Sequence, residues 1–348
     1  MTLTTAFAWR DLPLETPFGI SRATTEVAGN VVVRVEDESG RVGVGGAAPS
    51  DYYGEDRATV ESVLPDLLAA VEAVGDPHER QRIGEELVTT AGGPQASPGA
   101  RAAVDVALHD LACKRLDVPL YRLLGLDATQ RPTSSFTVGL DDTDRMAERA
   151  ESAAAEYSIL KLKLGTDRDR DIVRAVRDAA PEVTLRVDAN GAWDPMEAVR
   201  MTEFLADHGV EFVEQPVPAD DVAGLKRVRE AGELPVAADE SCVVPGDVPR
   251  IAESVDIAVL KLTKSGGVGT VVEMCHAARA CGLAVMLGCM TETNASIAAA
   301  AHLAPLVDYV DLDGSLLLAE DPFEGVPMPG GEIDLSAVSR AGTGARER

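Results

Sequence analysis

The chain has few cysteines, no long apolar run and no signal-peptide pattern in its first residues. Its 348 residues include five scattered cysteines with no CxxC pair, which argues against a disulfide framework and favours a reducing compartment. No segment approaches the ~18 consecutive apolar residues that cross a membrane. The first eleven residues lack the basic start and apolar centre of a signal peptide. We therefore expect a cytoplasmic protein without a membrane partner.

Basic residues are also scarce, and the formal net charge is −26. Such a charge argues against nucleic acid and anionic membranes as partners, because both repel it. Only six lysines occur, yet four lie in two short apolar segments: Lys161, Lys163, Lys261 and Lys264. A cationic side chain in a buried strand is unfavourable unless it meets an anion or takes part in chemistry. These four lysines are therefore candidate functional residues.

Residues 1–125 have the pattern of an α+β domain of ordinary size. Two apolar segments, Val31–Glu36 and Arg41–Gly46, flank a polar turn and predict a β-hairpin. Segments with helical periodicity follow at 55–74, 78–89 and 99–116. Between Pro17 and Gly29 we expect a Gly-, Ser- and Thr-rich loop, which carries Arg22.

Residues 126–316 alternate between apolar strands and amphipathic helices. Eight strand segments begin 21 to 27 residues apart, at 135–139, 159–164, 183–187, 210–214, 236–238, 257–262, 284–288 and 309–312. This repeat favours a closed barrel over an open doubly wound sheet, which usually carries a Gly-rich phosphate turn. The irregular tail, residues 317–348, is expected to return to the first domain. The predicted class is α/β: a (β/α) barrel with an N-terminal α+β capping domain.

Three carboxylates occupy the ends of consecutive predicted strands, where barrel enzymes place their catalytic groups. They are Asp188, Glu214 and Asp239. Carboxylates without thiol or imidazole ligands suit Mg²⁺, with Mn²⁺ as the alternative. Solvated loop carboxylates are the competing explanation in so acidic a chain. Lysines on both flanking strands favour the metal site.

The second and sixth predicted strands lie opposite each other in an eight-strand ring. Lys163 and Lys261 would then face one substrate carbon from two sides. A nearby Mg²⁺ and a second cation would lower the pKa of each ammonium toward the working pH. Lys261 and Lys264 have opposite strand parity, so spacing does not choose between them. The histidines fall in helical segments or just before a strand, and a Ser-His-Asp triad has no support.

Five short motifs occur in order: K-x-K at 161–163, D-x-N-G at 188–191, E-Q-P at 214–216, D-E-S at 239–241 and K-x-x-K-x-G-G at 261–267. Together they resemble the muconate-lactonizing-enzyme subgroup of the enolase superfamily, over almost the whole chain. The resemblance implies a modified (β/α)7β TIM barrel, a capping domain and a tail that completes the cap. We expect boundaries near 125 and 316.

The resemblance also implies roles for these residues. Lys163 and Lys261 would be the acid/base pair, Lys161 would contact the substrate carboxylate, and the three carboxylates would bind one Mg²⁺ per subunit. Removal of an α-proton on one face and its return on the other is epimerisation, through an enediolate intermediate. Stabilisation of such an intermediate by Mg²⁺ with a lysine base is the known pattern of this superfamily.

Asp311 and Asp313 distinguish between the possible activities of this subgroup. Period two places both carboxylates on one strand face, which suits an ammonium group. The pair resembles the D-x-D of dipeptide epimerases, which binds the α-ammonium of a dipeptide. Thr137, Cys289 and Met290 match substrate-contacting positions there, although Cys289 stands where Ser is expected.

Arg22 resembles the arginine that binds an acidic C-terminal side chain in Ala-Glu epimerases, if a one-residue insertion is allowed. A solvated loop arginine is the other explanation. The expected partner is a small dipeptide substrate, and a homo-oligomer is compatible with the sequence.

Other functions compete with the dipeptide epimerase. Within the subgroup these are muconate cycloisomerase, N-acylamino-acid racemase and o-succinylbenzoate synthase, none of which needs an ammonium site. The non-enzyme alternative is a barrel that keeps a metal site without catalysis, which would not need two opposed lysines. Acid-sugar dehydratases are disfavoured because the seventh strand ends in Leu287-Gly288-Cys289 without a histidine base.

Overall fold

The computed structural model describes residues 2–348 and begins with a three-stranded antiparallel sheet. Its strands are β1 (Leu3–Ile20), β2 (Ala23–Asp37) and β3 (Val42–Ala47), in that spatial order. The helices α1 (Arg57–Val74), α2 (Arg80–Ala91) and α3 (Pro98–Leu116) contribute to the core on this sheet, and the short α4 (Leu120–Leu123) that follows packs into the core of the second domain. Asp56 starts α1 by accepting the backbone N–H of Thr59 at 2.7 Å. Gly75 ends the helix in the left-handed region at φ 73°.

The helix α3 packs directly against the backbone of β3. A Cβ at Gly43 would lie 2.1 Å from the carbonyl oxygen of Ala107, and one at Gly45 would lie 2.2 Å from that of Ala103. Only glycine permits so close an approach of helix and strand. The alternating Val-Gly pattern of β3 is therefore a packing requirement.

The predicted loop between Pro17 and Gly29 is wrong. The segment is the end of a long hairpin arm, in which Phe18 pairs with Thr25 and Ile20 with Ala23, so that only Ser21 and Arg22 form the turn. Residues 23–27 are all exposed. Because these residues face solvent, this strand of the arm has no hydrophobic alternation to mark it as strand.

Eight parallel strands form the barrel: β4 (Phe136–Val138), β5 (Ile159–Lys163), β6 (Thr184–Asp188), β7 (Val210–Glu214), β8 (Val236–Ala238), β9 (Ile257–Lys261), β10 (Ala284–Gly288) and β11 (Tyr309–Asp311). They follow one another around the sheet in chain order. The ring closes where the N–H of Ser135 donates to the carbonyl of Val310 at 3.1 Å. The predicted α/β barrel with an N-terminal cap is confirmed.

Helices connect consecutive strands: α5 (Thr143–Ala154), α6 (Asp169–Ala179), α7 (Pro195–Asp207), α8 (Val222–Ala231), α9 (Asp247–Ile251), α10 (Leu262–Ser265), α11 (Val268–Ala280) and α12 (Asn294–Leu303). The strands β7, β8 and β10 have the predicted bounds. The strand β9 stops one residue early, at Lys261, because α10 begins at Leu262. Strand parity therefore does not apply to Lys264.

Strand register brings the polar residues to one level. Lys163 pairs with Asp188, and Asp188 pairs with Glu214 on the next strand. Two residues earlier on the same inward face, buried side chains fill the barrel beneath the site: Phe212, Ala237, Val259 and Met286 belong to this cluster. On β5 and β6 the corresponding residues are the buried Lys161 and Arg186, so this layer is apolar on β7 to β10 only.

The tail returns to the N-terminal domain. Its short strands β12 (Phe323–Glu324) and β13 (Arg346–Glu347) pair antiparallel. The N–H of Ala319 donates to the carbonyl of Pro13 at 3.0 Å, and that of Thr343 donates to Asp110 at 2.7 Å. The boundaries near 125 and 316 stay predictions. Among residues 2–348, no helix has the length and apolar character needed to cross a bilayer.

Candidate active site

Three buried carboxylates converge at the C-terminal ends of β6, β7 and β8. Asp188 and Glu214 are the last residues of their strands, and Asp239 directly follows Ala238. One oxygen from each carboxylate lies within 4.8 Å of the others, and the three residues are at most 1% exposed. Such proximity in a dry environment is unfavourable for three anions unless a cation lies among them.

The donor set fits a divalent cation that prefers oxygen ligands. Oε1 of Glu214 is buried without a hydrogen-bond partner in the described chain, so it is free to coordinate. Burial and the negative charge of Asp188 raise the pKa of Glu214 to about 8. A bound cation would oppose this shift, because it stabilises the ionised form. These residues would therefore hold Mg²⁺ by hard oxygen ligands.

Two strained residues follow these carboxylates. Asn190 has φ 45° and Gln215 has φ 36°, both in the left-handed region that residues other than glycine seldom adopt. The amide oxygen of Gln215 accepts the backbone N–H groups of Asp239 at 3.0 Å and Ser241 at 3.1 Å. Gln215 thereby ties the end of β7 to the third carboxylate. Strain of this kind concentrates at functional sites.

Lysines flank the carboxylates on both sides. Nζ of Lys163, from β5, donates to Asp188 at 2.5 Å. Nζ of Lys261, from β9, donates to Asp239 at 2.7 Å. The two ammonium groups therefore reach the site from strands on opposite sides of the triad, as the sequence predicts.

The electrostatic balance at Lys261 favours its charged form. Burial lowers the pKa of Lys261, but Asp239 and Glu214 outweigh this, so the pKa lies well above its ordinary value. With a metal bound, we expect the pKa of Lys261 to shift in the opposite direction, toward the working pH. A cation shared by the same carboxylates would withdraw their stabilisation of the ammonium.

Lys264 is fully buried and differs from Lys261 in its contacts. Its Nζ donates to the carbonyl of Asp239 at 2.6 Å, to Oδ1 of Asp239 at 2.5 Å and to the carbonyl of Val259 at 2.8 Å. An ammonium group has three donors, and all three are used here. Lys261 also lines the cavity, whereas Lys264 lies behind Asp239. The geometry favours Lys261 as the group that meets substrate.

A second acidic pair lies across the barrel mouth. Asp311 accepts the hydroxyl of Ser135 at 2.6 Å and forms an ion pair with Lys161. Asp313 accepts the backbone N–H of Thr137 at 2.6 Å. Lys161 also lies 3.4 Å from Glu214, so it connects the two acidic groups.

The two aspartates of this pair have shifted pKa values in opposite directions. Burial raises the pKa of Asp311, but Lys161 more than reverses this and holds it below its ordinary value. Burial and the neighbouring charge of Asp311 raise the pKa of Asp313 to about 6. An ammonium group placed between them would stabilise both ionised forms.

A cavity of about 890 Å³ opens between the barrel and the cap. The predicted residues that line it are Arg22, Thr137, Lys161, Lys163, Asp239, Lys261, Cys289, Met290, Asp311 and Asp313. Asp188 and Glu214 lie at its base, within the carboxylate triad. Sγ of Cys289 accepts the N–H of Gly314 at 3.3 Å. The structure thus brings every predicted site residue to one place, while their roles stay predictions.

Sequence reasoning missed several residues of the site. Glu240 is buried and accepts hydrogen bonds from Asn190 at 3.2 Å and Arg22 at 2.8 Å. Ser135 precedes Thr137 by two residues, so strand parity could have identified it. Glu292 accepts the hydroxyl of Thr263 at 2.6 Å and is buried, but no spacing rule links the two. These residues support the groups that face the cavity.

Comparisons with known proteins agree with this geometry. Residues 3–125 match the family described as mandelate racemase / muconate lactonizing enzyme, N-terminal domain, and residues 145–344 match the enolase C-terminal domain-like family. An L-Ala-D/L-Glu epimerase from Bacteroides thetaiotaomicron is 35% identical over 95% of this chain and 85% of its own. A hydrophobic dipeptide epimerase from Roseobacter litoralis is 37% identical over 90% of this chain and 91% of its own.

A solved structure extends the similarity to the whole fold. It is the dipeptide epimerase from Enterococcus faecalis V583, complexed with Mg and the dipeptide L-Leu-L-Tyr. The two structures agree with a TM-score of 0.93 at 32% identity, with 100% of both chains covered. The cap and the barrel are thus shared from end to end. The chain belongs to the mandelate racemase / muconate lactonizing enzyme family of the enolase superfamily.

Proposed function

We propose that this protein is a Mg²⁺-dependent dipeptide epimerase, which inverts the α-carbon of the C-terminal residue by 1,1-proton transfer. The observation that carries the proposal is the placement of Lys163 and Lys261 on opposite sides of the carboxylate triad. Each pairs with a different outer carboxylate, Asp188 or Asp239. Two bases on opposite faces of one carbon are what inversion requires.

The lysines carry the proton on the two faces. In one direction a neutral lysine removes the α-proton while the other, protonated, returns a proton to the opposite face. The roles exchange in the reverse direction, so both lysines must reach the same carbon. General acid–base catalysis by a positioned side chain typically contributes ~10²–10⁴-fold to the rate.

The α-proton of a carboxylate is very weakly acidic, so charge on the substrate must be stabilised as it develops. Asp188, Glu214 and Asp239 would hold one Mg²⁺ per subunit, or Mn²⁺, which would neutralise charge on the substrate carboxylate. Lys161, between Glu214 and Asp311, would contact that carboxylate as well. Both contributions act in a buried site, where electrostatic interactions are stronger than in water.

The acidic pair Asp311 and Asp313 would bind the free N-terminus of the dipeptide. Lys161 and Asp311 form an ion pair in the structure, and a zwitterionic dipeptide offers a complementary charge to each partner. Thr137, Cys289 and Met290 border this end of the cavity. The first residue would be L-Ala or another small residue.

The related activities fit these charges less well. Muconate cycloisomerase and o-succinylbenzoate synthase substrates are dicarboxylates, and N-acylamino acids have no ammonium group. Each would leave the buried Asp311 and Asp313 without a cation, which is unfavourable. A metal-binding barrel without catalysis has no need for two lysines on opposite sides of the metal site.

The direct test is α-proton exchange in D₂O with a library of L,L-dipeptides, followed by mass spectrometry. Epimerisation incorporates one deuterium at the α-carbon of the C-terminal residue and produces the L,D-dipeptide. N-acetylated dipeptides and muconate serve as the competing substrates. Turnover of either competitor with no exchange into any dipeptide would contradict the proposal. A cytoplasmic location and a homo-oligomer stay predictions, the former supported by five unpaired cysteines.

A further inference from the structure

Arg22 already has partners for its charge. It lies in the turn of the β1–β2 arm, where Nη2 donates to Glu240 and Nη1 donates to the carbonyl of Asn190, each at 2.8 Å. Its guanidinium carbon stacks 4.3 Å from the ring centroid of Tyr52. The side chain of Glu240 is only 2% exposed, and its ion pair with Arg22 compensates part of this buried charge.

The arm is anchored to the barrel beside this ion pair. The carbonyl of Gly19 accepts the N–H of Leu140 at 2.8 Å, in the loop that follows β4. A Cβ at Gly19 would lie 2.1 Å from the carbonyl oxygen of Leu140. Arg22 reaches Asn190 after β6 and Glu240 after β8. The turn is thus fixed to loops from three parts of the barrel mouth.

The other cations that line the cavity are also paired. Within the described chain, Arg57 pairs with Asp11 and stacks over Trp9, and the cavity lysines pair with the buried carboxylates. An acidic substrate side chain would therefore find no unpaired cation. Beside Arg22 it would have to displace the buried carboxylate of Glu240 or lie next to it, and both are unfavourable.

The cap offers exposed apolar surface to the same cavity. Val27 is 52% exposed and Tyr52 is 45% exposed, although both are large and hydrophobic. Both line the cavity, together with Phe18, Ile20 and Met290. An apolar substrate side chain that covers this surface removes it from water, which favours binding.

We propose that Arg22 clamps the arm to the barrel through Glu240, and that the cavity takes dipeptides whose C-terminal side chain is uncharged and apolar or aromatic. This inference rests on the proposed dipeptide epimerase function. It replaces the expected contact between Arg22 and an acidic substrate side chain. Arg22 is then a positioning residue, and the substrate class follows from the cap surface that it fixes.

The test compares kcat/KM for α-deuterium exchange into L-Ala-L-Leu, L-Ala-L-Phe, L-Ala-L-Gln, L-Ala-L-Glu and L-Ala-L-Lys. We expect Leu and Phe to exceed Glu by roughly tenfold or more, and Gln to exceed its charged isostere Glu. A preference for Glu over Gln, or for Lys over Leu, would overturn the inference and leave the epimerase function intact. Absence of exchange into all five dipeptides would instead overturn the proposed function.

Two variants test the contact between Arg22 and Glu240. The quantity compared is the ratio of kcat/KM for L-Ala-L-Glu to kcat/KM for L-Ala-L-Gln. Glu240→Gln frees the charge of Arg22, so the ratio should rise by roughly fivefold or more. The doubly neutral variant, Arg22→Met with Glu240→Gln, should return the ratio to within about twofold of wild type, with similar losses for both substrates. A selective tenfold loss of the Glu substrate in that double variant would show that Arg22 binds the acid. Arg57→Gln, which removes a paired cavity arginine without touching the barrel loops, is the matched control.

Discussion

The floor and the wall of the cavity are built by different means. The floor consists of strand ends, where strand register sets Lys163, Asp188 and Glu214 at one level. The wall is a two-stranded arm, whose turn is positioned by contacts with loops more than 100 residues away in sequence, as between Arg22 and Glu240. The floor is therefore rigid and suited to chemistry, and the wall can vary to select the substrate.

Removal of the metal should reduce activity more than any other change. It acts at the floor of the cavity, where the chemistry takes place. Exhaustive EDTA treatment should reduce α-deuterium exchange by at least roughly a thousandfold, since charge on the substrate carboxylate loses its main stabilisation. Mg²⁺ should restore the activity, and Mn²⁺ is the comparison ion. Undiminished exchange after chelation, with metal content checked by atomic absorption, would contradict the metal site.

Loss of either catalytic lysine should come next. Lys163→Ala and Lys261→Ala should each reduce epimerisation by roughly 10²–10⁴-fold. One of the two should still exchange the α-proton of a single epimer, because the opposite lysine remains. Exchange of L,L and L,D dipeptides in D₂O, measured separately by NMR, distinguishes the two faces. Near-normal turnover in Lys261→Ala with loss in Lys264→Ala would show that the assignment is reversed.

The difference between floor and wall also explains which parts of the site the sequence predicts. The strand ends of the floor follow from local patterns. Parallel strands with polar residues at their C-terminal ends lead directly to the barrel, and period two places Lys161 with Lys163 and Asp311 with Asp313. These rules depend on local pattern and on one topological regularity. They therefore bring the candidate site together, although the roles of its residues stay predictions.

Long-range contacts account for what the sequence does not predict. Residues 23–27 of the β1–β2 arm are all exposed, so this strand lacks alternation, and the sequence predicts a loop where the structure has a hairpin. The helix α10 interrupts parity after Lys261, so the position of Lys264 behind Asp239 follows only from the structure. Glu240 pairs with a residue 218 positions away, a contact that no spacing rule anticipates.

Substitution in the acidic pair Asp311 and Asp313 should have a smaller effect on activity than loss of a catalytic lysine, and a larger one than a substitution in the arm. Asp313→Asn should lower kcat/KM for a free dipeptide by roughly ten- to a hundredfold, the value of one charge-assisted hydrogen bond of ~1.5–3 kcal/mol. N-acetylation of the substrate should harm the wild type at least as much. If the acetylated substrate were preferred by the wild type, an N-acylamino-acid racemase would replace the present proposal.

The pH dependence should report the same carboxylate. Burial and Asp311 raise the pKa of Asp313 to about 6, and the ammonium contact needs the ionised form. As the pH falls through this value Asp313 gains a proton, so kcat/KM should fall by up to about tenfold per pH unit below it. The ratio of wild type to Asp313→Asn isolates this ionisation from that of the metal ligands. A ratio that stays constant between pH 5 and 8 would contradict the role of Asp313.

A substitution in the β1–β2 arm, which forms the wall, should have the smallest effect on activity. Gly19→Ala would place a Cβ 2.1 Å from the carbonyl oxygen of Leu140, so the turn of the arm must move away from the barrel. We expect KM to rise by roughly three- to tenfold with kcat changed less, because the strand ends that carry the lysines are untouched. Gly84→Ala is the matched control: its Cβ meets nothing within 4 Å and it lies inside α2, so it should raise the free energy of unfolding by about 0.5–1 kcal/mol without affecting KM. Steady-state kinetics and urea unfolding of both variants separate the two effects. A fall in kcat equal to the rise in KM would mean that the arm also positions the reacting groups, and the division between floor and wall would not hold.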